Sequence, residues 1–372
     1  QSLLGKTKHY SHTWNFAASE PMMPKTAPYL PGSQPAGTES VSSSRPSTLP
    51  PRTTSSSRPT ISVPKEVASA NDEIARFEDV GWGINSLAIS PNGRFVVAGK
   101  LDRAVNVYDL DRKLLVGERT ELAHLGQVNC TQFAPSGKKV LTGGYSGEIQ
   151  IWEFGDTGQI IPVEKFVGHT SEIKCIDISN NGTTVLSGER DKRLRCWNLE
   201  TRREDFAIAE FSREVLACRI VEDGNFGLAC GQEKLVKFDL QTGNVLDVRQ
   251  VGRGYHMAAA FSDDGKYLAV STGSDVEVLE AGTGKTVATI KSEGVAWSLR
   301  FVPETTYLIT GGRAEISWWD YSKQAFVASQ KVGTFAYVKS FAVSNDRKRV
   351  VAIGSSVGQA LEAFKVPSEM AK

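Results

Sequence analysis

From about residue 77 onward the chain is written in short apolar runs separated by turn residues. Within a run, side chains such as Phe95 and Val97 alternate with small or polar ones, a period of two that marks strands with one face on a core. The turns carry Pro91-Asn92-Gly93, Asn181-Gly182 and Asp264-Gly265, residue types that accept the positive φ of tight hairpins. A longer phrase contains these runs: strand, turn, strand, a pair of small residues, and a third strand ending in an aromatic. A polar turn such as Gln241-Thr242-Gly243-Asn244 follows, and then a fourth strand. No amphipathic helix interrupts the pattern, so the chain reads as all-β.

Three clear copies of the phrase fill residues 84–109, 128–153 and 173–198; weaker ones fill 216–239, 257–280, 297–320 and 338–364. The turn positions Gly93, Gly137, Gly182, Gly224, Gly265, Thr305 and Arg347 are 44, 45, 42, 41, 40 and 42 residues apart. A repeat of this length with four strands per unit predicts a seven-bladed β-propeller of four-stranded antiparallel blades. The last copy ends after its third strand, at Lys365, while Glu73–Phe77 precedes the first copy with nothing before it to pair with. Both ends are satisfied if the N-terminal strand completes the last blade, which closes the ring and removes its open edges.

Composition divides the chain near residue 70. Residues 1–70 carry a net charge of +4 and the remainder −3, within a near-neutral total of +1. The first segment is rich in Ser, Thr and Pro and repeats Ser42-Ser43-Ser44-Arg45-Pro46 as Ser55-Ser56-Ser57-Arg58-Pro59. Such a composition buries too little apolar area to offset its ordering entropy, so 1–70 is expected to be a disordered tail and linker, and 71–372 the propeller. Tyr10, Trp14 and Phe16 give residues 1–30 the makings of a segment that folds onto a partner or onto the main domain. Gln1 in place of Met leaves room for a processed, exported chain. The five unpaired strand cysteines lean instead toward a reducing, cytoplasmic setting. No apolar run is long enough to span a membrane as a helix.

The repeats resemble the WD-repeat β-propeller family. Gly168-His169 matches the family's Gly-His pair and Trp319-Asp320 its Trp-Asp pair; Trp152-Glu153, Trp197-Asn198, Tyr108-Asp109 and Phe238-Asp239 are close variants. The resemblance covers residues 77–365 and implies a structural tetrad in the third blade: His169, Ser187, Asp191 and Trp197. In it, Asp191 would hold the imidazole, the imidazole the hydroxyl, and the hydroxyl the indole N–H. Blade two keeps His124, Thr142 and Trp152 but has Ser146 at the Asp position, so its network is expected to be weaker. His256 stands outside any such network in the repeat register.

Other motifs are absorbed by the repeat. A Ser/His/Asp hydrolase reading of the tetrad fails because its last member is a Trp donor and no oxyanion donor is implied. Ala281-Gly282-Thr283-Gly284-Lys285-Thr286 resembles part of a phosphate-binding loop, but Leu279 stands where that loop needs its first Gly. In register it is the hairpin after a third strand. The cysteines Cys130, Cys175, Cys196, Cys218 and Cys230 form no Cys-x-x-Cys pair, and the histidines have no metal-ligand spacing, so neither metal nor cofactor is expected. Asn129-Cys130-Thr131 and Asn181-Gly182-Thr183 fit the glycosylation acceptor pattern and are read as strand and turn residues.

These features point to a non-catalytic interaction scaffold. The resemblance implies that peptides or protein loops dock on the narrow face, where connections from all blades converge. The residues placed there are Trp82, Gln127, Tyr145, Glu172, Arg190, Arg213, Glu214, Arg253, Tyr255, Arg313 and Tyr337, which include the Trp, Tyr and Arg types that dominate binding hot spots. The expected partners are proteins or peptides, with a single propeller acting inside a larger complex. The propeller's charge of −3 disfavours nucleic acid. The alternative is a propeller enzyme or a ligand-binding sensor module of a longer precursor, for which Glu172, Glu214 and His256 would have to converge at the axis.

Overall fold

In a computed structural model, residues 60–62, 73–78, 83–119, 124–221, 225–251, 256–273, 275–292, 294–332, 337–354, 360–367 and 370 are described. They form seven four-stranded antiparallel blades arranged in a ring, and no helix occurs among them. The blades begin with the inner strands Ile84–Ile89, Val128–Phe133, Ile173–Ile178, Val215–Val221, Ala258–Phe261, Ser298–Phe301 and Val338–Val343. Inner strands of successive blades lie side by side, including those of blades seven and one.

The hairpin after each inner strand is specified locally. Ser90, Ser179, Ser262 and Ser344 stand three residues before the turn position. Each hydroxyl accepts a backbone N–H from across the turn, from Phe95, Thr184, Tyr267 and Arg349, at 2.9, 2.9, 2.9 and 3.0 Å. Each also donates to the Asn or Asp two residues on, at 2.5–2.7 Å. Gly93, Gly182 and Gly265 then take φ near +70°, and Arg347 takes +58° in blade seven. The residue after the third-strand aromatic works in the same way. Asp109, Asn198, Asp239 and Asp320 each accept two backbone N–H groups of the following turn, at 2.8–3.1 Å, so the fourth strand starts from an Asx turn. The Ala281–Thr286 phrase is the equivalent turn of blade five, begun by Glu280 in place of Asp or Asn and closed by Gly284 N–H on the Glu280 carbonyl at 2.7 Å.

Between blades the core is continuous. The third-strand aromatics Trp152, Trp197, Phe238 and Trp319 are buried to 1% exposure or less. Each contributes roughly 3–5 kcal/mol relative to an Ala at its position. Leu279 and Phe364 fill the same place in blades five and seven.

The ring closes through the N-terminal strand. Glu73–Phe77 pairs antiparallel with Leu361–Lys365 and becomes the outer strand of blade seven. Arg76 Nη1 reaches the buried carboxylate of Glu362 at 2.6 Å, and Ala75 and Phe77 enter the core shared with blade one. Across that seam Leu87 N–H donates to Ser340 Oγ at 3.2 Å, and Arg349 pairs with Asp111 at 2.8 Å. The proposed tail of residues 1–70 lies outside the described residues apart from Thr60–Ser62, which pair in parallel with Thr289–Lys291 at the outer edge of blade five.

Candidate partner-binding face

The polar network of blade three is built as expected on two sides and differently on the third. Trp197 Nε1–H donates to Ser187 Oγ at 2.8 Å, and His169 Nε2 bonds the same hydroxyl at 2.8 Å. The carboxylate on His169 Nδ1 is Glu189, not Asp191. Glu189 ends the second strand fully buried and also receives Arg195 Nε at 2.5 Å, while Arg195 Nη1 pairs with Glu204 at 2.6 Å. Asp191 lies in the exposed turn, where it accepts from Thr170 Oγ1 at 2.8 Å. Its shorter side chain serves the turn, whereas the longer glutamate reaches inward from the strand. Burial works against the Glu189 charge, but the His169 and Arg195 contacts outweigh it and hold the carboxyl below its ordinary range.

Blade two repeats the arrangement with another glutamate. His124 Nε2 bonds Thr142 Oγ1 at 2.7 Å, Trp152 donates to the same hydroxyl at 2.7 Å, and His124 Nδ1 faces Glu148 at 3.4 Å. Glu148 also accepts the Leu125 N–H at 2.5 Å. The His124 contact leads in holding its carboxyl down to about 2, against the opposing effect of burial. The loss of Asp at Ser146 is therefore made good from two residues further on. Among the described residues blade six keeps only the indole–hydroxyl bond, Trp319 to Thr310 at 3.0 Å. His256 is not a bystander: it is 1% exposed, its ring bonds the Val251 carbonyl at 3.1 Å, and its N–H donates to Gln232 at 2.7 Å.

The connections into the inner strands and the turns between second and third strands share one face, here the top. The Tyr145 N–H donates to the Gln127 carbonyl at 2.7 Å and the Arg190 N–H to that of Glu172 at 2.9 Å, so these sequence-selected residues do sit together in pairs. Side chains then link blade to blade. Asn85 donates to Asn129 at 2.6 Å, Asn129 to Glu172 at 3.0 Å, and Lys174 bonds Glu172 at 3.0 Å. Lys174 also lies 3.7 Å from Glu214, which accepts from Gln232 at 3.1 Å, and Gln232 holds the His256 N–H. This belt runs through five blades and fixes Glu172 and Glu214 in place.

The belt leads to an aromatic corner. Trp297 stacks on Tyr337 with ring centroids 4.8 Å apart and 30° between planes. Trp297 is 37% exposed, an unusual state for so large an apolar surface. Tyr145 is 53% exposed on the same face, and Arg190, Arg213 and Arg313 are exposed as well. Trp82, Arg253 and Tyr255 lie outside the described residues. A cavity of about 410 Å³ opens at this end of the axis, lined by Lys174, Glu214, Leu216, Met257, Ser298 and Ser340 among others.

Sequence reasoning passed over Trp297, Lys174 and Lys339. The signal was in the register. Eight residues before each turn position stand Asn85, Asn129, Lys174, Leu216, Met257, Trp297 and Lys339, one ring of seven side chains. Burial lowers the Lys339 ammonium's pKa, and among the described residues it has no hydrogen bond or ion pair.

A profile of the WD domain, G-beta repeat, matches residues 74–109, 118–153 and 161–198, each holding outer-strand residues of one blade and the first three strands of the next, up to blade three. Those matches join the Trp–hydroxyl–His networks and the seven closed blades in a single assignment. Residues 74–198 carry three WD repeats within a seven-bladed β-propeller. This WD-repeat protein is 22% identical over 272 residues to p21-activated protein kinase-interacting protein 1-like from Gallus gallus, an alignment spanning 73% of this chain and 60% of that relative. It is 32% identical over 79 residues to a guanine nucleotide-binding protein subunit beta-like protein from Encephalitozoon cuniculi, covering 20% of the chain and 24% of the relative. A third likeness, 38% over 63 residues, is to mitochondrial division protein 1 of Vanderwaltozyma polyspora and covers 17% and 9%. The WD-repeat chain thus spans about three-fifths of the first relative's length and under a quarter of the other two.

Proposed function

We propose that this WD-repeat protein is a non-catalytic scaffold that binds a peptide or loop of a protein partner on its top face. The observation that carries the reading is the stack of the exposed Trp297 on the partly buried Tyr337, beside a ring position occupied by the uncompensated Lys339. A rigid, half-exposed aromatic pair supplies large contact area at little entropic cost. Lys339 adds a cation suited to an acidic side chain on the partner. Two relatives carry names that describe protein association, an interacting protein and a G-protein subunit-like protein, which favours the same class of role here.

The enzyme alternative needs Glu172 and Glu214 as available carboxylates. Both are engaged by Lys174 and by neighbouring amides, and Ser187 is fully buried, which supports the scaffold reading. Hydrogen exchange on the full chain, with a bound partner, tests it. Protection is expected around 127–145, 296–299 and 337–340; protection confined to the opposite face or the outer strands would contradict it.

A further inference from the structure

The opposite end of the axis holds a second arrangement. Five residues before each turn position, the inner strands place Ala88, Gln132, Asp177, Arg219, Ala260, Arg300 and Ala342 around the channel. Gln132, Asp177, Arg219 and Arg300 line a cavity of about 420 Å³ at the bottom mouth together with Asp263 and Glu304 of the turns, and the same four with Asp263 line a 210 Å³ cavity next to it.

The two arginines stand in equivalent positions with unequal company. Arg219 is saturated: Nη1 lies 3.5 Å from Asp177 on the preceding blade, Nη2 lies 3.2 Å from Asp263 in the next blade's turn, and the guanidinium donates twice to the Asp263 carbonyl at 2.9 and 3.1 Å. The second oxygen of Asp177 takes the Ile220 N–H at 2.7 Å, so that carboxylate is committed too. For Arg300 the repeat supplies Ala260 on the preceding blade and Asn345 in the next blade's turn. Neither carries a charge; Asp263 and Asp177 act on Arg300 only through space, opposed by the like charge of Arg219. Among the described residues Arg300 makes no hydrogen bond or ion pair, and it is more than half buried. A desolvated guanidinium with free donors on a cavity wall is costly unless something completes it.

We propose that the bottom mouth of the channel binds an oxyanion, a carboxylate or phosphate, in the fork of Arg300. Two parallel N–H···O bonds are what a planar guanidinium offers such a group, and a low-dielectric wall strengthens them. The Gln132 amide across the mouth is a further donor. The site is independent of the top-face reading: it lies at the other end of the axis, and neither Arg300 nor Gln132 lines the top-face cavity. The oxyanion could be free or borne by the acidic side chain of a peptide; the mouth opens among the turns of the hairpins and admits either.

The test is calorimetric titration of the full chain with inorganic phosphate and with the blocked peptide acetyl-Gly-Glu-Gly-amide, using acetyl-Gly-Gln-Gly-amide as a neutral control. Saturable binding of phosphate or the Glu peptide, and not of the Gln peptide, is expected. Phosphate alone identifies a free anion; tighter binding of the Glu peptide identifies a partner-borne carboxylate. Arg300→Met should weaken binding about tenfold or more, Arg300→Lys should weaken it less, and Arg190→Ala on the top face should leave it unchanged. The Arg300→Met chain should melt at or above the wild-type temperature, because it removes a largely buried charge that has neither a hydrogen bond nor an ion pair. No saturable binding by the wild type, undiminished binding by Arg300→Met, or a destabilised Arg300→Met chain whose Arg300→Lys counterpart binds as the wild type would each overturn the proposal.

Discussion

Glu189 meets the Nδ1 of His169 where both side chains are completely buried, and it is the same carboxylate that receives Arg195. The residue at the centre of blade three's polar network is thus a strand glutamate, with the turn aspartate Asp191 outside it. Glu189→Ala leaves His169 and Arg195 buried without their shared acceptor and should cost about 3 kcal/mol or more. Asp191→Ala loses only exposed turn bonds and should cost about 1 kcal/mol or less. His169→Ala falls between, at about 1–3 kcal/mol. Denaturant midpoints of the three variants check this ranking; equal losses for Glu189→Ala and Asp191→Ala would refute it.

The glutamates also give stability a pH dependence. Glu148 is held down to about 2 in the folded chain, chiefly by His124, against about 4.3 when unfolded. A depressed folded-state pKa stabilises in full above the unfolded value and is lost as pH falls toward the folded one. Melting temperature should therefore drop between about pH 4.3 and 2. In Glu148→Gln the drop should be shallower, from a lower starting point at neutral pH. A drop of unchanged steepness would remove Glu148 from the account.

Ring closure is tested by two truncations. A chain starting at residue 71 keeps Glu73–Phe77 and loses only Thr60–Ser62 of the described strands, a three-residue edge on blade five; it should melt close to the full chain. A chain starting at residue 81 loses Ala75 and Phe77 from the core and leaves the buried Glu362 without Arg76. It should aggregate or unfold at clearly lower denaturant. Equal melting of the two would mean that the N-terminal strand does not close the ring.

The thiols give an independent check on burial. Burial pushes the Cys130 and Cys230 thiols well up and Cys196 up to about 12, while Cys218 is raised first by its hydrogen bond with Cys175 and then by burial. These four should resist a thiol reagent at pH 8 in the native chain and react once it is unfolded in denaturant. Rapid labelling of Cys230 in the native chain would place blade four's second strand wrongly.

Much of this was legible in the residues because the blade is specified locally. The Ser-x-Asn/Asp boxes, the Asx turns after the third-strand aromatics and the alternation of Val, Ala and Ile dictate each hairpin without reference to its neighbours. The outer strand of blade seven could be read because an unpaired edge at each end of the array demands one solution. What escaped was set between blades. Glu189 and Glu148 reach their histidines from two different sequence positions, so no fixed spacing marks them. The Asn85–Asn129–Glu172–Lys174–Glu214 belt needs neighbouring inner strands to be set beside one another, and only the column of residues eight before each turn carries its trace.

The central claim is that a protein partner docks on the top face at Trp297. It is tested most directly by measuring the affinity of a purified partner, first isolated with the full chain, for Trp297→Ala and for Leu246→Ala, an exposed residue on the outer strand of blade four. Both variants should melt as the wild type does. Trp297→Ala should weaken binding about tenfold or more, roughly 1.4 kcal/mol, and Leu246→Ala should not. Binding that survives at Trp297 and is lost at Leu246 would place the partner on the blade edges and contradict the account.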